Sequence, residues 1–472
     1  MNLNQILQEK YPHLEVSVLK LSEVQKDNES KRIDSEFFKK EYFDAMETMQ
    51  LNQVEYLGDN MKFNSRYSQP KYDETSKIKV INSQYIRNEY IDYENAKSGY
   101  GKIVPKESVL INATGVGTLG RVFINILDFD FSIDSHINVI VVKNKTYLNP
   151  YFLAIFLQSY YGQIQIIRYY SGTSGQIEIY PRDFNYFKIP IFPMEFQLEI
   201  QNLVKDSHKA LEESKELYKK AEETLYLELG LDPKNPLQSL LDSKTNNPTN
   251  SPNISIHTLK ESFLKTGRLD SEYYQSKYED IEKFIKSYPN GYDSFSSIIN
   301  NKDTNFTPKN NENYSYIELA NIGNNGNISE PISDLGKNLP TRARRIVSKG
   351  DVIISSIEGS LSSCALITQE FDKHLVSTGF FVLNSKLLNG ETLLVMFKSQ
   401  IFQEYLKKFP SGTILCATNK EELSKILIPK IDSTTQEKIA KYIQESFNLR
   451  KKSKQLLDNA KIKVEEQIQG KI

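Results

Sequence analysis

The chain has 472 residues, enough for two to four domains, and its hydrophobic share of 39% and charged share of 25% are typical of a globular protein. A net charge of −1 and a pI of about 6.6 exclude a surface coated with cations, but local basic patches stay open. Because Cys364 and Cys416 are the sole cysteines and no signal sequence or long apolar run occurs, we expect a cytoplasmic protein without a disulfide framework or a membrane span.

The first distinctive element is the segment VLINATGVGTLGRVFI at 109–124. Gly115, Gly117 and Gly120 have the G-x-G-x-x-G spacing of a dinucleotide-binding loop, which requires a helix directly after it to receive the pyrophosphate. The residues that follow are β-branched, aromatic and alternating, a pattern that indicates strands. We therefore predict a strand, a glycine turn and a second strand.

A long helix is predicted at 197–228, where apolar or small residues recur at spacings of three and four among Glu and Lys. This heptad pattern favours a narrow seam against another helix, although a helix packed on its own domain is the alternative. The predicted partner or coiled-coil residues are Ile200, Leu203 and Leu217, and small residues at positions such as Ser207 and Ser214 complete the stripe.

A polar, proline-punctuated linker is predicted at 231–255, between the first helix and a second globular half. The chain then ends in a second heptad pattern that runs from Thr434 to about Gln469. Its predicted partner or coiled-coil residues are Ile439, Ile443, Phe447, Leu457 and Val464.

The motifs of the first half recur in the same order in the second half. RIDSEFF at 32–38 recurs as RLDSEYY at 268–274, and IVPKESVLI at 103–111 recurs as IVSKGDVII at 346–354. Such ordered self-similarity predicts two copies of one unit. The counterpart of the glycine turn keeps only Gly359. A turn can form with a single glycine and several serines, whereas a phosphate-binding loop needs its glycines. Later matches are Ser171-Gly-Thr173 with Ser411-Gly-Thr413, Ile189-Pro190 with Ile428-Pro429, and Gln197 with Gln436.

No catalytic or metal-binding constellation is recognisable. The chain has neither a P-loop lysine motif nor the Asn/Asp-Pro-Pro-aromatic tetrapeptide of a methyltransferase, and its five histidines lack metal-ligand spacing. Two basic clusters occur instead among Tyr, Asn and Gln, and such residues neutralise phosphates and recognise base edges, although a solvated surface is the alternative. The predicted DNA-binding residues are Lys62, Arg66, Lys71, Arg342, Arg344 and Arg345.

The plan of the chain resembles the specificity subunits of Type I restriction-modification systems. The resemblance is carried by the RIDSE and RLDSE motifs, the GDVIISSIEGS strand and turn, the SGTSGQ and SGTIL loops, and the segments KIPIFPMEFQLEIQ and KILIPKIDSTTQEKIA before the helices. It covers nearly the whole chain. One departure is KIDST at 430–434, where a proline-rich segment is more usual in that family.

The resemblance implies an α/β (α+β) fold. Two similar mixed α/β target recognition domains are each followed by a long helix, and the two helices are expected to pair as an antiparallel coiled coil with pseudo-two-fold symmetry. The expected boundaries are 1–194 and 256–431 for the recognition domains, 195–230 and 432–472 for the helices, and 231–255 for the linker.

The resemblance also implies a non-catalytic subunit that binds double-stranded DNA. It would recognise a bipartite target and direct adenine methylation or restriction by two DNA methyltransferase subunits and by restriction/translocase subunits. S-adenosylmethionine and ATP would belong to those partners, and no cofactor is expected in this chain. Three alternatives stay open: a Type II-like two-subunit system, a stand-alone DNA-modifying enzyme with unrecognised motifs, and a scaffold protein.

Overall fold

The computed structural model describes residues 3–16, 18–26, 28, 31–172, 175–242, 256–412 and 416–471. The chain divides into two compact units, which we call unit 1 (Met1–Leu211 and Arg450–Ile472) and unit 2 (Glu212–Leu449). Each unit therefore contains one repeat and one half of each long helix. Within the described ranges, no helix combines the length and the apolar character needed to cross a membrane.

Unit 1 contains the first set of elements. Its strands are β1 Val54–Tyr56, β2 Met61–Arg66, β3 Lys71–Tyr72, β4 Lys79–Ile81, β5 Lys97–Tyr100, β6 Val109–Asn112, β7 Val122–Ile124, β8 Phe131–Ile133, β9 Ile137–Val142 and β10 Lys188–Pro190. Its helices are α1 Leu3–Lys10, α2 Leu21–Gln25, α3 Lys40–Met49, α4 Leu57–Asn60, α5 Pro150–Gln158 and α6 Tyr160–Tyr169, and α7 Met194–Glu228 continues into unit 2.

Unit 2 contains the second set. Its strands are β11 Tyr292–Ser294, β12 Ile299–Asn301, β13 Asn313–Ile317, β14 Ile332–Leu335, β15 Ala343–Ile346, β16 Val352–Ser355, β17 Cys364–Leu366, β18 Leu375–Ser377, β19 Phe380–Ser385 and β20 Leu427–Pro429. Its helices are α8 Pro236–Asp242, α9 Phe263–Thr266, α10 Ser276–Lys286, α11 Phe295–Ile298, α12 Gly390–Lys398, α13 Gln400–Leu406 and α14 Lys420–Ser424, and α15 Ser433–Ile468 continues into unit 1.

The main sheet of unit 1 has the order β2-β9-β6-β7 and is antiparallel, and both of its faces are covered. Val109 and Ile140 belong to the apolar cluster that includes α5 and α6, whereas Leu110 and Val139 face a second cluster over the sheet β3-β5-β4-β8. Strands buried on both faces need nearly continuous apolar runs, which is why β9 has the sequence INVIVV.

The sheets of unit 2 repeat those of unit 1. The order β12-β19-β16-β17 corresponds to β2-β9-β6-β7, and the parallel pair β13 and β18 corresponds to the parallel pair β4 and β8. The units differ at both edges of the second sheet, since β3 pairs with β5 in unit 1 and no described strand pairs with the outer side of its counterpart β14 in unit 2. In unit 2, β15 pairs along β18, where unit 1 has a single bridge between Ile103 and Ser132.

The Arg-x-Asp-Ser-Glu motif anchors the start of each repeat. Arg32 pairs with Asp34 at 2.7 Å and donates hydrogen bonds of 3.1 and 2.7 Å to two carbonyl oxygens at the end of α6. Arg268 pairs with Asp270 at 2.6 Å and donates bonds of 3.3 and 2.9 Å to two carbonyls just after α13. The motif therefore recurs because it fixes the same junction twice.

A second duplicated anchor joins each long helix to the domain before it. The side-chain oxygen of Gln197 accepts a hydrogen bond of 2.7 Å from the N–H of Asn149, whose side chain caps α5. The side-chain oxygen of Gln436 accepts one of 2.9 Å from the N–H of Asn389, which caps α12. The match between these two glutamines in the sequence thus reflects one shared contact.

The long helices pair in an antiparallel direction within each unit. Ser207 and Ser453 share a hydrogen bond of 2.9 Å in unit 1, and Ser214 and Ser446 share one of 3.1 Å in unit 2. In the repeat, Ser207 is equivalent to Ser446 and Ser214 is equivalent to Ser453. Each pair therefore has the same two positions with the helices interchanged, as pseudo-two-fold symmetry requires. The predicted fold class, with two mixed α/β domains and paired antiparallel helices, is confirmed.

The predicted seam is both a helix–helix contact and part of each core. Ile200 and Val464 lie in the main cluster of unit 1, and Ile439 and Ile443 lie in that of unit 2 together with residues of the globular part. The stripe therefore faces the other long helix and also packs on its own domain, so both interpretations of the heptad pattern are correct. Leu217 is half-buried and contributes to neither cluster among the described residues.

Two further expectations have definite outcomes. The segment after β6 is a turn followed directly by β7, so the prediction of strand, glycine turn and strand is confirmed. The predicted linker 231–255 is wrong for Pro236–Asp242, which form α8, because Leu240 packs into the core of unit 2. Residues 243–255 lie outside the described residues. The other domain boundaries stay predictions.

Candidate nucleic-acid interface

The two predicted cations of β2 lie at opposite ends of the strand. Lys62 is the extra residue of a β-bulge between Met61 and Phe63, and its side chain is exposed. Such bulges re-aim a side chain out of the regular sheet. Arg66 ends the strand four residues later, a distance of about 13 Å along an extended chain. The structure therefore does not bring Lys62 and Arg66 together.

Arg66 is held by partners from the far end of the first repeat. Its guanidinium forms an ion pair with Glu178, donates to the carbonyl of Ile179 and lies 5.6 Å from the ring centre of Tyr180. Burial opposes the ionisation of Glu178, but the hydrogen bonds and charge of Arg66 and Tyr180 outweigh it and lower the pKa of that carboxyl. Arg66 is thus a fixed, half-buried cation.

Glu178 connects Arg66 to the glycine turn. Its backbone forms a β-bridge with Thr114, the second residue of the turn, and the Thr114 hydroxyl lies 3.0 Å from Nδ1 of His136. His136 is exposed at the start of β9. Arg121, which closes the turn, is half-buried, and burial lowers its pKa. The end of the main sheet therefore gathers two guanidinium groups and one imidazole around one turn.

The arginines of the second cluster lie in the edge strand β15 or directly before it. Arg342 and Arg344 are exposed, and Arg344 is the extra residue of a bulge between Ala343 and Arg345. Arg345 points inward and donates to the carbonyl of Phe380, and burial lowers its pKa. Arg342 and Arg344 can therefore meet a ligand in solvent, while Arg345 ties β15 to the start of β19.

This cluster lies beside the second turn, as Arg66 lies beside the first. The carbonyl of Arg342 accepts a bond of 2.9 Å from the N–H of Thr378, and the next residue, Gly379, accepts one of 2.9 Å from the N–H of Ser356 at the base of the turn. The turn continues through an exposed 3₁₀ segment, Glu358–Ser360. In each unit, basic side chains and a projecting turn share one end of the sheets.

The remaining predicted residues have other surroundings. Lys71 is exposed on the short edge strand β3. The predicted helix residues are divided between the two units, with Ile200, Leu203, Leu457 and Val464 in or against the core of unit 1 and Ile439, Ile443 and Phe447 in or against that of unit 2. Because these side chains contribute to cores, a free partner surface does not consist of them.

A model of the Type I restriction modification DNA specificity domain matches residues 44–223. This segment belongs to that family. The resemblance drawn from the sequence is therefore confirmed. The matched range of the specificity domain includes every strand of unit 1, together with Arg66, the glycine turn and most of α7.

Individual proteins that are similar to this chain carry names of the same kind. The specificity subunit of the Type I restriction enzyme HindI from Haemophilus influenzae is 29% identical over 129 residues, which are 26% of this chain and 28% of that subunit. The S subunit structure from M. genitalium has a TM-score of 0.41 at 14% identity and covers 89% of this chain and 95% of its own. The HsdS subunit from Thermoanaerobacter tengcongensis has a TM-score of 0.27 at 14% identity, with coverages of 89% and 97%.

Sequence reasoning missed several residues of the specificity domain that organise this end of the sheets. Glu178 and Tyr180, which hold Arg66, are separated from it by more than a hundred positions, so no local pattern connects them. His136, one of the five histidines without metal-ligand spacing, is exposed beside the turn. The sequence offered one signal for these residues: Glu178 and Tyr180 follow the matched Ser-Gly-Thr motif, and His136 follows the glycine turn.

Proposed function

We propose that this chain is the DNA sequence-recognition subunit of a Type I restriction-modification complex. The observation that carries the proposal is the match of residues 44–223 to the DNA specificity domain, combined with the repetition of the main-sheet order in unit 2. Two copies of one recognition unit suit a bipartite double-stranded DNA target, because each copy can select its own half-sequence.

In this proposal the chain performs no catalytic step. Two DNA methyltransferase subunits bind to it, carry S-adenosylmethionine and methylate adenine, and the ATP-driven restriction/translocase subunits cleave unmodified DNA. The complex works in the cytoplasm. The chain supplies target choice, and the partners supply cofactors and chemistry.

The exposed cations supply the affinity that does not depend on sequence. Lys62, Lys71, Arg342 and Arg344 contact phosphates, since their side chains are exposed. Arg66 and Arg345 are bound to protein acceptors and instead hold the ends of the sheets in place. Base recognition then depends on groups that project between these cations.

The test is co-expression of the full chain with a DNA methyltransferase subunit of a restriction-modification system from the same organism, followed by genome-wide mapping of methylated adenines. We expect methylation at a two-part motif with a fixed spacer only when both proteins are present, and no methylation or cleavage by the purified chain. Turnover by the chain alone would contradict the proposal. Addition of restriction subunits distinguishes the systems, because ATP-dependent cleavage is expected for Type I and is not expected for a Type II-like pair.

A further inference from the structure

The glycine turn between β6 and β7 projects an apolar residue into solvent. Gly115 and Gly117 have φ angles of 93° and 79°, in the left-handed region that glycine tolerates. A Cβ atom on Gly117 would meet nothing within 4 Å, and Val116 between them is 67% exposed. The glycines therefore give the turn its backbone shape and are not required by packing around Gly117.

The turn is exposed but held at its base. The N–H of Gly115 donates a bond of 3.0 Å to the carbonyl of Ile177, and Nη2 of Arg121 donates one of 2.7 Å to the carbonyl of Gly117. A preorganised group loses little conformational entropy when it binds. An exposed valine on a fixed turn is thus suited to contact a ligand of defined geometry.

The counterpart in unit 2 has the same construction and a different tip. The N–H of Glu358 donates a bond of 3.0 Å to the carbonyl of Cys416, as Gly115 does to Ile177 in unit 1. The hydroxyls of Ser355 and Ser360 lie 2.7 Å apart across the turn. Its exposed tip carries the carboxylate of Glu358, which is equivalent to Gly115 and accepts a hydrogen bond from the Cys416 thiol, whereas the first turn projects the apolar side chain of Val116.

The charges beside the turns complete the argument. Arg66 reaches the first turn through Glu178, and Arg342 reaches the second through Thr378. Arg342 is exposed and can neutralise a phosphate, which fixes a protein on the duplex while an adjacent projecting group contacts base edges. Arg66 is paired with Glu178 and instead holds the base of the first turn. Each turn thus has an arginine near its base, ion-paired in unit 1 and exposed in unit 2, and the two tips differ in chemistry.

We propose that these two turns are base-recognition elements, in which Val116 contacts the methyl group of a thymine and Glu358 accepts a hydrogen bond from the amino group of a cytosine. Both groups are displayed in the major groove. The inference rests on the proposed function. It assigns one turn to each half of the target, so a change in one tip alters one half-sequence and leaves the other unchanged.

The experiment maps methylated sites for the full chain in complex with its methyltransferase. Val116→Ser should lower the preference for thymine at one position of one half-sequence by about 5-fold or more, the effect of a single lost base contact. Glu358→Gln should shift one position of the other half-sequence from cytosine towards adenine, which an amide recognises. Matched controls are Leu51→Ser, exposed by 78% after α3, and Glu370→Gln, exposed at the opposite end of the β16–β17 hairpin.

The outcomes separate this inference from the proposed function. If the unchanged complex methylates a two-part target and both turn variants keep the parental preference, the turns do not recognise bases and the proposed function stands. Changes from both variants in the same half-sequence, or a folded variant that loses methylation at every sequence, also contradict base recognition. If the unchanged complex shows no sequence choice, the proposed function and this inference both fail.

Discussion

Replacing Arg268 with alanine tests whether the duplicated anchor stabilises each unit. The substitution removes hydrogen bonds of 3.3 and 2.9 Å to the two carbonyls just after α13 and leaves Asp270 without this partner. The Arg268 side chain is 13% exposed, and its guanidinium lies 4.8 Å from the ring centre of Tyr273. Alanine supplies none of these contacts, so the start of the repeat loses its connection to α13.

The magnitude follows from these contacts. Hydrogen bonds from a charged donor contribute about 1.5 kcal/mol or more each, so the two carbonyl bonds account for about 3 kcal/mol. The contact with Tyr273 adds about 1 kcal/mol. The pair with Asp270 adds little, because the aspartate side chain is 45% exposed to solvent. We expect a loss of about 4 kcal/mol in the free energy of unfolding, or about 8 to 16 °C in Tm.

The assay is calorimetry combined with hydrogen exchange of the full chain. Arg268→Ala should lower the exchange protection of unit 2, and the equivalent Arg32→Ala should lower that of unit 1. Lys106→Ala is the control, because its pair with Asp128 is exposed by 65% and 96% and should contribute less than about 0.5 kcal/mol. A loss below about 1 kcal/mol for both arginine variants would refute the anchor.

Three further predictions test the helices, the edge strand and the response to acid. Ser207→Ala should destabilise the protein by about 1 to 2 kcal/mol because it leaves the buried Ser453 hydroxyl with one partner fewer, and the double variant should recover part of that loss, as a double-mutant cycle by denaturant unfolding measures. Arg344→Ala should reduce the slope of log DNA-binding affinity against log salt concentration by about one, without a change in sequence preference. The control Lys349→Ala, at the other end of β16, should leave that slope unchanged. The anchor aspartates have pKa values below the ordinary 3.8, chiefly because their arginines hydrogen-bond to them, so their contribution to stability is present above that value and is lost as pH falls through the lower folded pKa. Asparagine at both positions should therefore flatten the acid limb of the stability curve, and an unchanged limb would contradict this assignment.

The elements that the sequence predicted well are those with a local period. The heptads at 197–228 and 434–469 correspond to α7 and α15 within a few residues, because side chains on one face of a helix recur every three to four positions. The turn at Gly115 was predicted for a similar reason, since the β-branched run after it excludes a helix. Such signals need no knowledge of distant partners.

The features that the sequence pattern failed to predict depend on contacts between distant segments. Arg66 was predicted from its charge alone, and its partner Glu178 follows 112 positions later. Ser446 and Ser453 were absent from the predicted stripe, although Ser207 and Ser214 were noted in the first helix. The offset of 239 between Gln197 and Gln436 would have found them, because the same offset carries Ser207 to 446 and Ser214 to 453.

The two repeats share their anchors and differ at their turn tips. The shared anchors Arg32 and Arg268 each bond to the aspartate of their own motif and to two distant backbone carbonyls, which every residue type presents in the same way. The residues that supply these carbonyls can therefore change in sequence without loss of the contact. Val116 and Glu358 are exposed and lie outside the apolar clusters, and apart from the bond between Glu358 and the Cys416 thiol these positions can diverge at little cost in stability. Under the proposed function, a fold with anchors to backbone carbonyls and with exposed tips lets each repeat recognise its own half-sequence, and exchanging the tip residues alone should exchange part of the target.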